Sequence, residues 1–407
     1  MFKVRNESVR LIIGVIIMSI IVGSTIAFFL NSLAWVTHIR IQYPWLFYIL
    51  PLAGLVLFFL YKHFGQNTIA GNNLIIDEIH QPQNGVPILM APFILFSTLF
   101  THLFGGSAGR EGTAVQIGGS IASYIGEKFQ LSKANRSLLL MTGVSAGFGA
   151  VFGTPLAGTI FAIEVVVFAH LYHRTLIYCL IAAYLGHLTC LAYGVHHTSY
   201  SIQSGLSTTN PKILPIVIIA AMSFGWVAKL FVFGIHKLKA VLAKMTSFQW
   251  MIPVIGASVL IVLSWLLNTR DYLGLGVGEA SSTAISIVNS FHQNGVMPLS
   301  WFWKMLFTII TLSVGFKGGE VTPLFFIGAA LGNAIAFYTG APVDLLAALG
   351  FIAVFGAATN TPLASAVMGI EIFGSEYLGY FVLACFLAYF VSGRSRIYTV
   401  KSQDGHS

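Results

Sequence analysis

Charge is scarce in this chain. Asp, Glu, Lys and Arg together make up 8% of its 407 residues, where soluble domains carry about a quarter. That excludes an ordinary soluble enzyme. The formal net charge of +8 does not imply a nucleic-acid partner, because the basic residues are scattered and mostly flank apolar runs. Cysteine is rare as well. Cys179, Cys190 and Cys385 lie in apolar surroundings without metal-ligand spacing, which leaves them as packing residues. The histidines adjoin only at His196-His197, so no metal site is expected and no cofactor is implied. Sustained strand alternation is missing. The glycine-rich segment at 105–112 has no G-K-[ST] after it and no strand before it, which excludes a nucleotide cradle. No Ser-His-Asp grouping can be assembled.

What the chain has in quantity is apolar surface: 56% of residues are hydrophobic and the mean hydropathy is +0.83. This is the composition of an all-α polytopic membrane protein. Leu11 to Leu30 gives roughly 20 apolar residues, long enough to span and too long for a cleaved leader. Lys3, Arg5 and Arg10 precede the first run, and Arg394, Arg396 and Lys401 follow the last. The positive-inside rule then places both termini in the cytoplasm, with an even number of crossings of the cell membrane. Apolar segments recur from 9–33 to 376–392, and several, such as 113–126 and 362–374, are too short to cross alone. Residues 278–294 read as a tilted or interfacial helix, and Ser201 to Pro211 as a linker. No soluble domain is expected at either end.

An internal repeat organises the chain. Residues 150–164 read AVFGTPLAGTIFAIE, and 353–371 read AVFGAATNTPLASAVMGIE. Pro155 and Pro362, like Glu164 and Glu371, are separated by 207 positions; Glu111 in GREGT and Glu320 in GGEVTP by 209. Two homologous halves follow, 1–205 and 206–407. An odd number of crossings in each makes them inverted, the arrangement in which broken helices meet around a midplane site.

The segment Gly105-Gly106-Ser107-Ala108-Gly109-Arg110-Glu111-Gly112-Thr113 sets an ion pair inside a break between apolar runs. Charged residues at that depth are costly and mark substrate paths or proton relays. Helices that start inside the membrane present unpaired N–H groups and a partial positive charge, which suits an anion. The predicted starts are Asn72-Asn73, the residues after Glu111, Thr322-Pro323 and Thr361-Pro362. Glu111 can occupy the anion's place and leave it on protonation, or it can pair with Arg110 and fix the loop. Glu320 holds the matching position as a second gate, a hydrogen-bond partner or a structural acid. Glu164 and Glu371 end apolar helices and are expected to cap or anchor the cytoplasmic side.

These motifs, GREGT with the FGTPLAG and GGEVTP segments, resemble the CLC family of chloride channels and anion/proton exchangers, over nearly the whole chain. The resemblance implies a homodimer, one anion pathway per subunit, helix N-termini aimed at a central anion, and Glu111 as the gating glutamate. The departures are informative. Gly71-Asn72-Asn73 stands where the family has a serine that contacts chloride, and GREGT carries Thr113 where proline is usual. Val321 in Gly319-Glu320-Val321-Thr322-Pro323 replaces phenylalanine, and Val165 replaces the inner proton glutamate. Tyr398 matches the coordinating tyrosine. The set looks like the fluoride-exporting branch. On that resemblance Glu111 and Glu320 couple protons, while Asn72, Asn73, Gly112, Thr113, Val321, Thr322 and Tyr398 surround the anion. The expected cargo is fluoride exchanged for protons, with membrane lipid as surroundings. A chloride channel or exchanger is the rival of the same fold. An intramembrane enzyme or a non-transporting scaffold is disfavoured by the duplicated architecture and the buried acids.

Overall fold

In a bilayer interior every backbone amide needs an internal partner, so long apolar runs without strand alternation fold as helices. The computed structural model describes residues 6–166, 173–204, 212–245, 248–277, 284–393 and 396–398. These form fifteen α-helices and three short 3-10 turns, with no strand among the described residues. The segments used below are α1 (Glu7–Gln42), α3 (Asn72–His80), α4 (Met90–Leu103), α5 (Glu111–Lys128), α6 (Lys133–Phe152), α7 (Pro155–Glu164), α8 (His173–Ala192), α9 (Leu214–Met245), α11 (Ser300–Ser313), α12 (Val321–Thr339), α13 (Val343–Thr359) and α14 (Pro362–Phe373).

Among the described residues, five segments are long and apolar enough to cross a membrane; others, including α4, α7, α13 and α14, are shorter. Their depth differs sharply. In the most apolar 18-residue window, 83% of α12 is buried inside the protein against 28% of α8. α12 is thus a central helix and α8 a peripheral one. The central helices approach closely because glycines face each other. Gly118 of α5 lies against Gly143 of α6, and Gly328 of α12 against Gly350 of α13; a Cβ on any of the four would strike the opposite backbone.

The matched sequence landmarks meet in pairs. Gly109 and Gly319 exchange two backbone hydrogen bonds, N to O at 2.6 and 2.8 Å, as an isolated antiparallel bridge. Ser107 ties the same loop to α11 through Thr311 Oγ1 and Thr308 Oγ1. The carboxylate of Glu164 accepts from the N–H groups of Leu363 and Ala364 at the start of α14, at 3.0 and 2.8 Å. Glu371 does the same for Leu156 and Ala157 at the start of α7, at 2.9 and 2.8 Å. Each short helix therefore caps the other, favourably for both dipoles. Both acids therefore cap, as expected, each on the short helix of the other motif. α7 and α14 run antiparallel, so their C-terminal acids lie at opposite ends, about 15 Å apart for ten residues at 1.5 Å each. Stacked rings join the neighbouring helices, Phe148 of α6 on Phe161 of α7 at 4.3 Å and Phe325 of α12 on Phe351 of α13 at 3.9 Å.

The expectation of a helix over 278–294 needs correction. Within 284–294 only Asn289–Phe291 is helical, a single 3-10 turn. Asn289 Nδ2 bonds the Ala284 carbonyl and Ser286 Oγ accepts from the Asn289 N–H, so short polar side chains compete for the backbone a helix would use. Part of the segment packs into the protein: Ile287 and Ser290 are fully buried, and Asn333 of α12 donates to the Ser290 and His292 carbonyls. Residues 278–283 lie outside the described residues, as do Lys3, Arg5, Arg394, Lys401 and the 205–211 part of the linker. The start of that linker is held by Asp344, which accepts from the N–H groups of Gln203 and Ser204.

Candidate functional site

α5 begins at Glu111 and α12 at Val321, and the Gly109–Gly319 bridge brings the two starts together. Both lie where lipid cannot supply partners, so their first-turn N–H groups must find anionic ligands within the protein. Glu111 is one such ligand. Its side chain, 1% exposed, turns back from α5 onto α12. Oε2 accepts from the N–H groups of Thr322 and Arg110, both at 3.0 Å, and Oε1 accepts from the Thr322 hydroxyl. Arg110 Nε is 3.7 Å from Oε1 and makes no hydrogen bond. The ion pair is therefore the lesser contact, and the carboxylate takes the donors at the α12 start. Only glycine fits at 109, because a Cβ there would lie 2.7 Å from Glu111 Oε2 and 2.9 Å from the Gly319 carbonyl.

Glu320 caps the approach to α12 from the other side. Its Oε2 is enclosed and has no hydrogen-bond partner, and the same holds for Asn72 Oδ1 at the start of α3. Both side chains border Gly112: a methyl group there would reach Asn72 Nδ2 at 3.2 Å and Glu320 Oε2 at 3.5 Å. The Asn72 side chain hydrogen-bonds the Tyr398 hydroxyl. Tyr398 is 6% exposed, and its segment is anchored by Ile397 N–H on the Ala358 carbonyl. Asn72, Asn73, Glu320 and Tyr398 line one cavity of about 600 Å³.

The expected site residues thus fall into two adjoining groups. Glu111, Gly112 and Thr322 lie buried where α5 and α12 begin; Asn72, Asn73, Glu320 and Tyr398 line the neighbouring cavity, a vestibule. Thr113 is next to the first group, but its hydroxyl is spent on Thr98 Oγ1 of α4 at 2.6 Å, which leaves its backbone N–H. Val321 is 1% exposed and packs in the apolar core, so it shapes the α12 start without offering a side-chain donor. Chemically, a carboxylate on helix N–H groups competes with any anion for those donors. Protonation removes its charge and most of its hold. The crowded, unpaired acceptors on Glu320 and Asn72 would repel an anion until a proton on Glu320 turned one of them into a donor.

The family model for the voltage-gated chloride channel matches residues 53–393. The chain belongs to the CLC family. The chloride/fluoride channel protein of Pseudomonas syringae pv. tomato is 42% identical over 397 residues, covering 96% of this chain and 86% of the relative. The crystal structure of a CLC-type fluoride/proton antiporter superposes with a TM-score of 0.89 at 35% identity, covering 95% of this chain and 96% of that one. A slow cyanobacterial Cl−/H+ antiporter, 19% identical with a TM-score of 0.79 over 94% of both chains, shares the fold. This CLC chain is accordingly an all-α, multi-pass membrane protein of a transport family, which is not an enzyme class.

Residues that the sequence reading passed over also reach the CLC site. Gln116, one turn and a half along α5, lies beside Gly71, whose φ of +57° opens the turn into Asn72. Lys239 and Lys317 line the vestibule. Lys317 carried a visible signal, a single cation in the apolar run before GGEVTP. Lys239 sits in a scattered basic stretch of α9 and carried none.

Proposed function

We propose that this CLC protein is a fluoride/proton antiporter that uses the inward proton gradient to expel fluoride from the cytoplasm. The carrying observation is the carboxylate of Glu111 seated on the Thr322 N–H and hydroxyl, next to the enclosed acceptors of Glu320 and Asn72. Fluoride is small and strongly hydrated, so a site that strips its water must return strong donors. The helix N–H groups, the Asn72 amide, the Tyr398 hydroxyl and a protonated Glu320 are such donors. Glu111 leaves its seat on taking a proton and returns on losing it, so fluoride and a proton cross in opposite directions. Val165, half-buried at the end of α7, carries no titratable group; the proton load rests on Glu111 and Glu320.

The fluoride reading is supported by GNN, GREGT and GGEVTP standing together without the inner acid, and by the names borne by the similar proteins. We further read 1–205 and 206–407 as inverted halves, supported by the paired bridges and caps between them. A homodimer in the cell membrane with cytoplasmic termini rests on the family resemblance and the flanking charges. The deciding experiment is efflux from liposomes loaded with fluoride, followed by a fluoride electrode and a pH probe, with chloride as competitor. Fluoride release with opposite proton movement, little affected by chloride, is the expected result. Equal transport of chloride would assign a chloride exchanger, and fluoride movement without protons a channel.

A further inference from the structure

The proposed exchange leaves two lysines unused. Lys317 lies three residues before Glu320, half-buried among apolar segments, and its ammonium rests 4.3 Å from the centre of the Tyr61 ring. No ion pair to Lys317 occurs among the described residues. A ring face replaces only part of an ammonium's hydration, so the group is left short of a counter-charge. Lys239 on α9 lines the same cavity, is solvent-exposed, and lies within electrostatic reach of both Lys317 and Glu320. His236 is a third basic neighbour, and Glu320 is the single acid among the described lining residues. Charge and depth are therefore graded: an exposed cation, a half-buried cation, then the enclosed Oε2 of Glu320 beside Asn72.

We propose that Lys317, fed by Lys239, is a docking site for the anion in the vestibule, where fluoride waits before meeting Glu320 and Asn72. The proposal rests on the fluoride-exchange reading and adds to it a binding station on one face only. The physical reason is that a cleft of one sign with apolar walls concentrates counter-ions. A desolvated ammonium binds an anion far better than an exposed one does, because the surrounding dielectric is low. Arg110, the cation next to Glu111, is within electrostatic reach of His197, Cys190 and Tyr200, and none of the four lines this cavity. A docking cation differs from a counter-ion for Glu320 in what its removal changes. Loss of docking raises the fluoride concentration needed on that face. Loss of a counter-ion alters the fluoride-to-proton ratio.

The test uses the full-length protein in liposomes, with Lys317→Cys, Lys317→Arg and Lys239→Cys. With fluoride supplied from the vestibule face, Lys317→Cys should raise the apparent KM roughly tenfold, the low end of what focusing by a single-sign cleft supplies. The KM from the opposite face and the fluoride-to-proton ratio should hold, and Lys317→Arg should behave as the parent. A membrane-impermeant methanethiosulfonate carrying an ammonium should restore the low KM of Lys317→Cys, and one carrying a sulfonate should raise it further. The native Cys179, Cys190 and Cys385 are buried, and the unmodified parent controls for them. If Lys317→Cys does not fold, Lys239→Cys carries the same reagent test at an exposed position, with a smaller rise expected. An unchanged KM in the active variants, or a changed ion ratio, overturns the docking site. A parent that moves no fluoride overturns the exchange reading instead.

Discussion

Glu111 and Glu320 lie in two related motifs, yet their surroundings are opposite. The expected match between them is one position out: the bridged Gly109 and Gly319 and the helix starts at 111 and 321 set Glu111 against Val321, and Glu320 against Arg110. Glu111 is the first residue of α5, and its carboxylate takes two donors from Thr322 at the start of α12 and a third from the Arg110 N–H. Glu320 precedes α12 by one residue and leaves Oε2 enclosed and unpaired. A one-residue difference in place relative to the helix start sends one acid across to its partner's N-terminus and leaves the other at a vestibule wall. The lesson is that the two acids stand at different places in the repeat, and position relative to the helix start divides their work. A satisfied carboxylate marks a seat that has to be vacated; an unsatisfied one marks a seat that wants a proton.

Substitutions that erase this difference should act in proportion. The largest effect is expected for Glu111→Gln, which keeps the shape and loses the proton. Proton movement measured with a pH probe should fall to background, and residual coupling would return Glu111 to the loop-fixing role. Glu320→Gln keeps a hydrogen-bond donor but cannot cycle. Fluoride turnover should fall roughly tenfold, about the worth of one hydrogen bond to a charged group, as read from initial efflux rates. Unaltered rates would make Glu320 structural. Asn72→Ser exchanges two amide donors for one hydroxyl, so the fluoride-to-chloride preference in competition efflux should drop by roughly fivefold to tenfold, the net value of about one hydrogen bond. Smallest for transport are Glu164→Gln and Glu371→Gln. Each should cost about 1 kcal/mol of stability as a lost charged cap, seen as a lower Tm, with the ion ratio intact. A changed ratio in either would draw that acid into the proton path.

Much of the candidate site was legible in the sequence because helix starts announce themselves chemically. Glycine before Asn72, proline at 155 and 362, and the acid opening α5 each lie at an observed start. The place taken by the Glu111 carboxylate was also foreseeable, since an acid beside unpaired N–H groups competes with an anion. The crossed caps were not legible. Glu164 and the α14 start are about 200 positions apart, and nothing local to either reveals that the helices lie antiparallel. The same holds for Thr113, whose hydroxyl reads as free until α4 brings Thr98 to it. The helix expected over 278–294 failed within its described part because Ser286, Asn289 and Ser290 bond their own backbone locally.

The amino-acid sequence alone determined that the chain is helical and membrane-embedded, that its motifs are duplicated, and which acids sit at costly depth. Those properties follow from transfer energies and local chain chemistry, which act residue by residue. Only the tertiary structure decided which oxygen meets which N–H: that Glu111 seats on α12, that Glu320 is left unpaired, and that Lys317 faces the same cavity. Such pairings depend on how helices distant in sequence cross, and the closest of those crossings are set by glycine contacts that no single segment contains.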